Sequence, residues 1–142
     1  MQGLKIRDFE KNDRHELQQL YLTCLKQTFT WLDTSTYHLE DFDTHTKGEH
    51  ILVAEHDGVL VGFVAVYLSE SFIHHLYIRA DYHKKGIGKQ LLNAAVKILV
   101  QPVRLKCLVR NKNAISFYKS CGWKFEMSGL DETGRYYLLI NQ

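Results

Sequence analysis

The segment Ala80-Asp81-Tyr82-His83-Lys84-Lys85-Gly86-Ile87-Gly88-Lys89-Gln90-Leu91-Leu92 joins an apolar run, Phe72 to Ile78, to an amphipathic stretch. A strand-to-helix junction of this kind gathers backbone N–H groups and a helix N-terminus at one spot, which suits a phosphate or pyrophosphate. Gly86 and Gly88 lack the Cβ that would keep a ligand off the backbone. The chemistry implied is recognition of a phosphate-bearing molecule by main-chain amides.

Charge distribution agrees. No Asp or Glu lies between Asp81 and Glu126, yet that window holds ten of the eighteen Lys and Arg, beginning with Lys84, Lys85 and Lys89. The net charge of +2 hides this asymmetry. A basic segment concentrates a polyanion and speeds its arrival. An ordinary solvated face would look similar one lysine at a time. The segment as a whole, with a phosphate-type turn inside it, favours an anionic cofactor.

Composition bounds the rest. A chain of 142 residues is one ordinary domain, here residues 1–142, with room for a true core. A hydrophobic fraction of 45% excludes a disordered chain, and no apolar run approaches membrane-spanning length. The start, Leu4-Lys5-Ile6-Arg7, carries no basic-then-apolar signal pattern. Cys24, Cys107 and Cys121 form no C-x-x-C pair and read as reduced thiols, so a cytoplasmic protein is expected. The eight histidines have no standard metal-site spacing, and no metal is expected.

Elements must position the turn. Leu4 to Phe9 alternates as a strand. Asp13 with Glu16 resembles a helix cap, and Leu17, Leu20, Tyr21, Cys24 and Leu25 recur at helical spacing to about Phe29. Trp31 lies in a loop, and a second, acidic helix is predicted over Tyr37 to Thr46. Ile51 to His56 and Val59 to Tyr67 flank Asp57-Gly58 as a tight hairpin. Phe72 to Ile78 is a central strand and Gly88 to Val100 a helix ended by Pro102. Val103 to Val109 is a strand, Lys112 to Ser120 a short helix, and Trp123–Met127 with Arg135–Ile140 a final strand pair. The order β-α-α-β-β-β-α-β-α-β-β describes an α/β fold with a mixed sheet.

Two nucleotide motifs fail. A Walker loop needs Lys-Ser/Thr after the second glycine of a longer spacing, where this chain has Gly86-Ile87-Gly88-Lys89-Gln90. A dinucleotide fingerprint wants a small residue at Leu91 and an acid after the next strand, which instead ends Val109-Arg110.

His83-Lys84-Lys85-Gly86-Ile87-Gly88 resembles the Gln/Arg-x-x-Gly-x-Gly/Ala signature of the GNAT acetyltransferase superfamily, with His83 in place of Gln or Arg. Downstream, Asn111-x-x-Ala114-Ile115-x-Phe117-Tyr118-x-x-x-Gly122-Trp123 is similar to the family's Asn-x-x-Ala-x-x-x-Tyr-x-x-x-Gly-Phe, with Trp for Phe. Order and separation of the blocks agree with the family. The resemblance implies a GNAT-like, mostly antiparallel sheet flanked by helices. It implies direct transfer of acetyl from acetyl-CoA to an amine through a tetrahedral intermediate. His83, Lys84, Lys85, Gly86, Ile87, Gly88 and Lys89 would cradle the pyrophosphate. Leu76, Tyr77 and Ile78 would pair with pantetheine where their strand splays from Val103–Val109, and Asn111 would sit near the same arm. Tyr118 would protonate the departing thiolate. A thiol near pKa ~8.5 and a phenol near ~10 suit that late transfer. A core aromatic is the plain reading of Tyr118, and a helix cap that of Asn111.

The base that deprotonates the incoming ammonium is less legible. Alternation places His74 and His75 on opposite sides of their strand, unable to chelate one metal together, with His74 on the side of Phe72 and Leu76. His74 is the candidate base, set against a hydrogen-bonded structural histidine, with Glu70 in reserve. For the acceptor, family members use the N-terminal helices and their loop. Phe29 and Trp31, with acids including Asp33, Glu40, Asp41 and Asp43, suggest a cationic small-molecule or peptide amine. A solvated acidic face with Trp31 on the core is the plainer alternative. A non-catalytic acyl-CoA-binding or protein-interaction module of the same fold is the second functional class. Neither nucleic acid nor membrane is expected as a partner, and a homodimer is left open.

Overall fold

A computed structural model describes residues 1–142. The strands are β1 (Leu4–Asp8), β2 (His50–His56), β3 (Val59–Tyr67), β4 (Phe72–Ile78), β5 (Val103–Leu108), β6 (Lys124–Asp131) and β7 (Gly134–Asn141). The helices are α1 (Arg14–Thr28), α2 (Asp41–His45), α3 (Ile87–Ile98) and α4 (Lys112–Ser120). One sheet of order β1-β2-β3-β4-β5-β7-β6 is antiparallel except between β4 and β5. The expected order of elements is the observed one, and the fold is the mixed, mostly antiparallel sheet expected.

The sheet is filled on both faces. Leu17, Leu20, Tyr21 and Leu25 of α1 and Phe42 of α2 pack on Ile51, Val53, Phe63 and Ala65. Leu91, Leu92 and Ala95 of α3 pack on Leu52, Val64, Val66, Ile73 and Leu105. Burial on both faces is why β3 reads as a continuous apolar run rather than an alternating one. At the β2–β3 turn Asp57 and Gly58 have φ of 51° and 84°, as a tight hairpin requires. No helix is long and apolar enough to cross a membrane.

Two local expectations are corrected. The helix expected over Tyr37–Thr46 shrinks to Asp41–His45, because Asp41 turns back to accept from the His38 N–H at 2.9 Å and Phe42 is the only large apolar side chain of the range that is buried. Asp13 and Glu16 form no capping box at α1. Asp13 instead accepts two bonds from Arg7, at 2.8 and 2.9 Å, and Glu16 accepts from the Leu60 N–H.

A third correction concerns β4. Ala65 faces His75 and Val66 faces Ile73, so His74 is the extra residue of a β-bulge. The bulge resets the alternation. Ile73 and Leu76 turn to the α3 face, while His75 and Tyr77 pack toward Tyr21 of α1. His74 does not share a side with Leu76. Its ring lies 3.9 Å from that of His75, centroid to centroid.

Candidate functional site

The parting of β4 from β5 creates the site. They pair only through Phe72–Arg104 and Ile73–Leu105. Beyond Ile73, the edge of Leu76–Ile78 that faces β5 has no strand partner, which leaves room for an extended ligand, although the Ile78 carbonyl already accepts from His83 and from the Cys24 thiol.

The glycine turn lies at the end of this opening. Lys84 and Gly86 have φ of 62° and 83°, an alternation that curls successive amides into a concavity. Gly86 caps α3 without any side-chain hydrogen bond, and the first turn of α3 holds no acid. The positive end of the helix is therefore free to meet an anion. Lys84, Lys85 and Lys89 are exposed and make no ion pair, whereas Arg104 is held by Glu126 and Lys106 by Asp131. Lys97, Arg110, Lys112, Lys119 and Lys124 make no ion pair either, so what distinguishes Lys84, Lys85 and Lys89 is their place beside the turn. His83, the departure from the family signature, bonds through Nε2 to the Ile78 carbonyl at 2.8 Å, pinning the turn to the end of β4. Gly88 packs against Phe117, so turn, β4 and α4 meet.

Helix α4 brings the other named residues. Asn111 is its N-cap and accepts from the Ala114 N–H at 3.3 Å. Tyr118 is half-buried, with ring contacts to Phe117 at 5.3 Å and Trp123 at 6.1 Å. Burial, then the neighbouring Cys107 and Cys121, raise its pKa above the ordinary phenol value. The phenol therefore stays protonated through the neutral range.

A model of the acetyltransferase (GNAT) family matches residues 14–123. The chain belongs to this family. Solved structures share the fold at low identity. The PaiA N-acetyltransferase of Thermoplasma acidophilum, in complex with coenzyme A, has a TM-score of 0.81 and 22% identity over 98% of both chains. YjaB of Escherichia coli, in its apo form, has 0.77 and 20% over 96% of each. The spermidine N-acetyltransferase of Vibrio cholerae, in complex with CoA and spermine, has 0.74 and 18%, covering 99% of this chain and 96% of its own.

On the α1 side, Phe29 and Trp31 meet edge to face at 5.4 Å, and the Arg110 guanidinium lies 5.4 Å from the Trp31 ring centre. The loop expected to border the acceptor thus touches the segment after β5, but the face of Trp31 is covered by the protein's own cation. The acids around it are engaged as well. Asp43 is bonded to Arg14 and Gln18, Asp33 to Ser35, and Asp41 to the His38 N–H. Most of the acids thought to meet a cationic substrate instead close turns or pair internally.

His74 and His75 come together with a residue that the sequence did not single out. Glu49 accepts from His74 Nδ1 at 2.8 Å. The Glu49 side chain is 0% exposed and that of His74 is 36% exposed. His75 Nε2 lies 3.2 Å from the His45 carbonyl, and burial pushes its pKa down to about 3. Glu49 just precedes β2. The pairing of His50 with Val66, and of Val66 with Ile73, carries it across two strands to the bulge. Only that register, with the bulge, could have pointed to it.

Proposed function

We propose that the protein transfers the acetyl group of acetyl-CoA to an amine. The observation that carries this reading is the parting of β4 and β5 after Ile73–Leu105, directly beside the uncapped N-terminus of α3. Both features fit a long carrier with a diphosphate at one end and an extended arm at the other.

In this reading the amides of Gly86, Ile87, Gly88 and Lys89 hold the pyrophosphate, with Lys84, Lys85 and Lys89 adding screened long-range attraction. His83 acts through the turn it pins. The free edge of Leu76, Tyr77 and Ile78 aligns the pantetheine arm, with Asn111 nearby. The bound thioester supplies an activated acetyl carbon. Tyr118, kept neutral by burial, gives its proton to the sulfur as the thiolate leaves. His74 takes the proton that the ammonium must lose. With Glu49 ionised, Nδ1–H donates to it and the lone pair sits on Nε2. His75, neutral and buried, does not compete for this task.

Phe29 and Trp31 border the acceptor. Because the nearby acids are mostly engaged, we assign a small amine rather than a polycation held by many carboxylates. The Vibrio cholerae neighbour, a spermidine N-acetyltransferase, makes polyamines the natural comparison in an acceptor panel.

Calorimetric titration with acetyl-CoA, followed by thiol release across an amine panel, tests the reading. One-site binding and turnover on at least one amine are expected. Binding without turnover on any amine would indicate the non-catalytic module. Absence of binding by folded protein would overturn the reading itself.

A further inference from the structure

We propose that Glu49, His74 and His75 form a binding site for one divalent zinc-type cation on the α1 face of β4. Each residue offers a ligand atom, and the three atoms lie within 4.8 Å of one another. Two imidazoles and a carboxylate with a position left over match the donor set of open zinc sites.

Three details favour a metal over a fortuitous cluster. First, the Glu49 side chain is 0% exposed, yet its Oε1 makes no well-formed hydrogen bond, the Tyr67 hydroxyl being the donor that approaches the carboxylate. A buried carboxylate oxygen left without a partner is costly, and a cation would relieve it. Second, a carbonyl can only accept, so the bond to the His45 carbonyl places the His75 proton on Nε2 and leaves the lone pair on Nδ1. Fixing the tautomer through the remote nitrogen is how ligand histidines are commonly held. Third, the bulge at His74 is what brings two consecutive histidines together, since a regular strand would separate them.

The packing around the cluster is firm on one side and open on the other. Tyr21 and Tyr77 contact the His75 ring, while Tyr67 stacks on His74 at 5.4 Å. Glu49 and His75 are therefore preset, and the partly exposed His74 is the ligand that can adjust. Tetrahedral ligands with zinc bonds of about 2.0–2.1 Å sit about 3.4 Å apart, so a small closing movement of His74 completes the set. A fourth position on its exposed side remains for water.

The metal site rests on its three ligands and not on acetyl transfer, although His74 serves both. The test strips the full-length protein with a chelator, then titrates Zn²⁺ against a chromophoric competitor and Co²⁺ by visible absorption. One equivalent is expected, with the intense d–d bands of tetrahedral Co²⁺. His74→Gln and Glu49→Gln should each weaken Zn²⁺ binding at least about 10-fold while leaving acetyl-CoA affinity at the distant turn unchanged. The side chain of His74 is partly exposed, so its variant decides the matter even where Glu49→Gln fails to fold. Uptake well below one equivalent would show that no such site exists, and uptake unaffected by His74→Gln would place the metal on other residues; either overturns the proposal.

Discussion

Gly88 faces the ring of Phe117 so closely that a Cβ there would lie 3.3 Å from Cζ. Helix α3, which opens on the glycine turn, is thereby locked to α4, which carries Tyr118. The two glycines of the turn consequently have different duties. Gly86 needs its left-handed φ of 83° and has open space around it. Gly88 has an ordinary helical backbone but no room.

Alanine at each position should separate these duties. Gly86→Ala forces a side chain into the left-handed region, at a cost of about 1–2 kcal/mol, and should weaken acetyl-CoA binding by distorting the amide concavity. Gly88→Ala gains up to about 1 kcal/mol of helix propensity, offset by displacement of the Phe117 ring, so stability should stay near wild type. Its cost should appear in turnover, and Phe117→Leu should restore part of it. Urea denaturation, calorimetry and a double-mutant cycle measure these quantities. Equal loss of stability in both variants would contradict the distinction.

Tyr118→Phe keeps the ring contacts with Phe117 and Trp123 and removes only the hydroxyl. If the phenol delivers the proton to the leaving thiolate, kcat should fall about 100-fold or more with acetyl-CoA affinity unchanged. Unchanged turnover would return Tyr118 to the role of a packing aromatic.

The element order was readable because each element announced itself locally. The Asp57-Gly58 turn, the stripe of Leu91, Leu92 and Ala95 and the Asn111 cap depend on neighbours in the chain. The unpaired stretch of β4, the cover of Arg110 on Trp31 and the meeting of Glu49 with His74 and His75 depend on partners distant in sequence. The bulge shows the limit most clearly. Strict alternation assigned His74 and His75 to opposite faces, and one inserted residue reversed that assignment, since side-chain facing follows a period of two. Similarly, Asp13 has the sequence context of a cap for α1, but its carboxylate is turned to the two-pronged Arg7 guanidinium and the Glu10 N–H instead of the first amides of α1.

That pairing sets an acid-stability prediction. The Arg7 guanidinium holds the Asp13 carboxyl below its ordinary pKa of 3.8, helped by the Glu10 N–H and opposed by burial. As pH falls, the unfolded chain takes up this proton before the folded one. The contribution is therefore present above the ordinary value and lost below it. Asp13→Asn should lower stability by about 2–3 kcal/mol at pH 7, the scale of hydrogen bonds to charged groups, and by progressively less toward pH 3. Urea midpoints at pH 7, 5 and 3 measure the convergence. A gap that stayed constant with pH would exclude this origin.

The cysteines differ in reactivity for a similar reason. Burial pushes the Cys24 thiol up to about 11 and that of Cys107 up to about 12, so neither supplies much thiolate at neutral pH. Cys121 is only half-buried. Iodoacetamide at pH 7.5 should modify Cys121 well before the other two, as read by peptide mass spectrometry. Equal labelling of Cys107 would mean that β5 opens far more readily than its packing implies.

Zinc and acetyl transfer should interfere at His74. A cation on Nδ1 displaces the proton that Nδ1 donates to Glu49, and the neutral ring then carries its hydrogen on Nε2. That nitrogen can no longer accept a proton from the amine. Stoichiometric Zn²⁺ should therefore lower kcat while leaving acetyl-CoA affinity intact, because the glycine turn is untouched, and a chelator should restore the rate. His74→Gln should show low activity that zinc no longer changes. If zinc fills the cluster, as Co²⁺ spectra would report, and turnover continues undiminished, His74 is not the group that deprotonates the amine. If zinc does not bind but His74→Gln still slows turnover, the proton role stands and the metal site falls. Steady-state rates and metal titrations on the same samples separate the two.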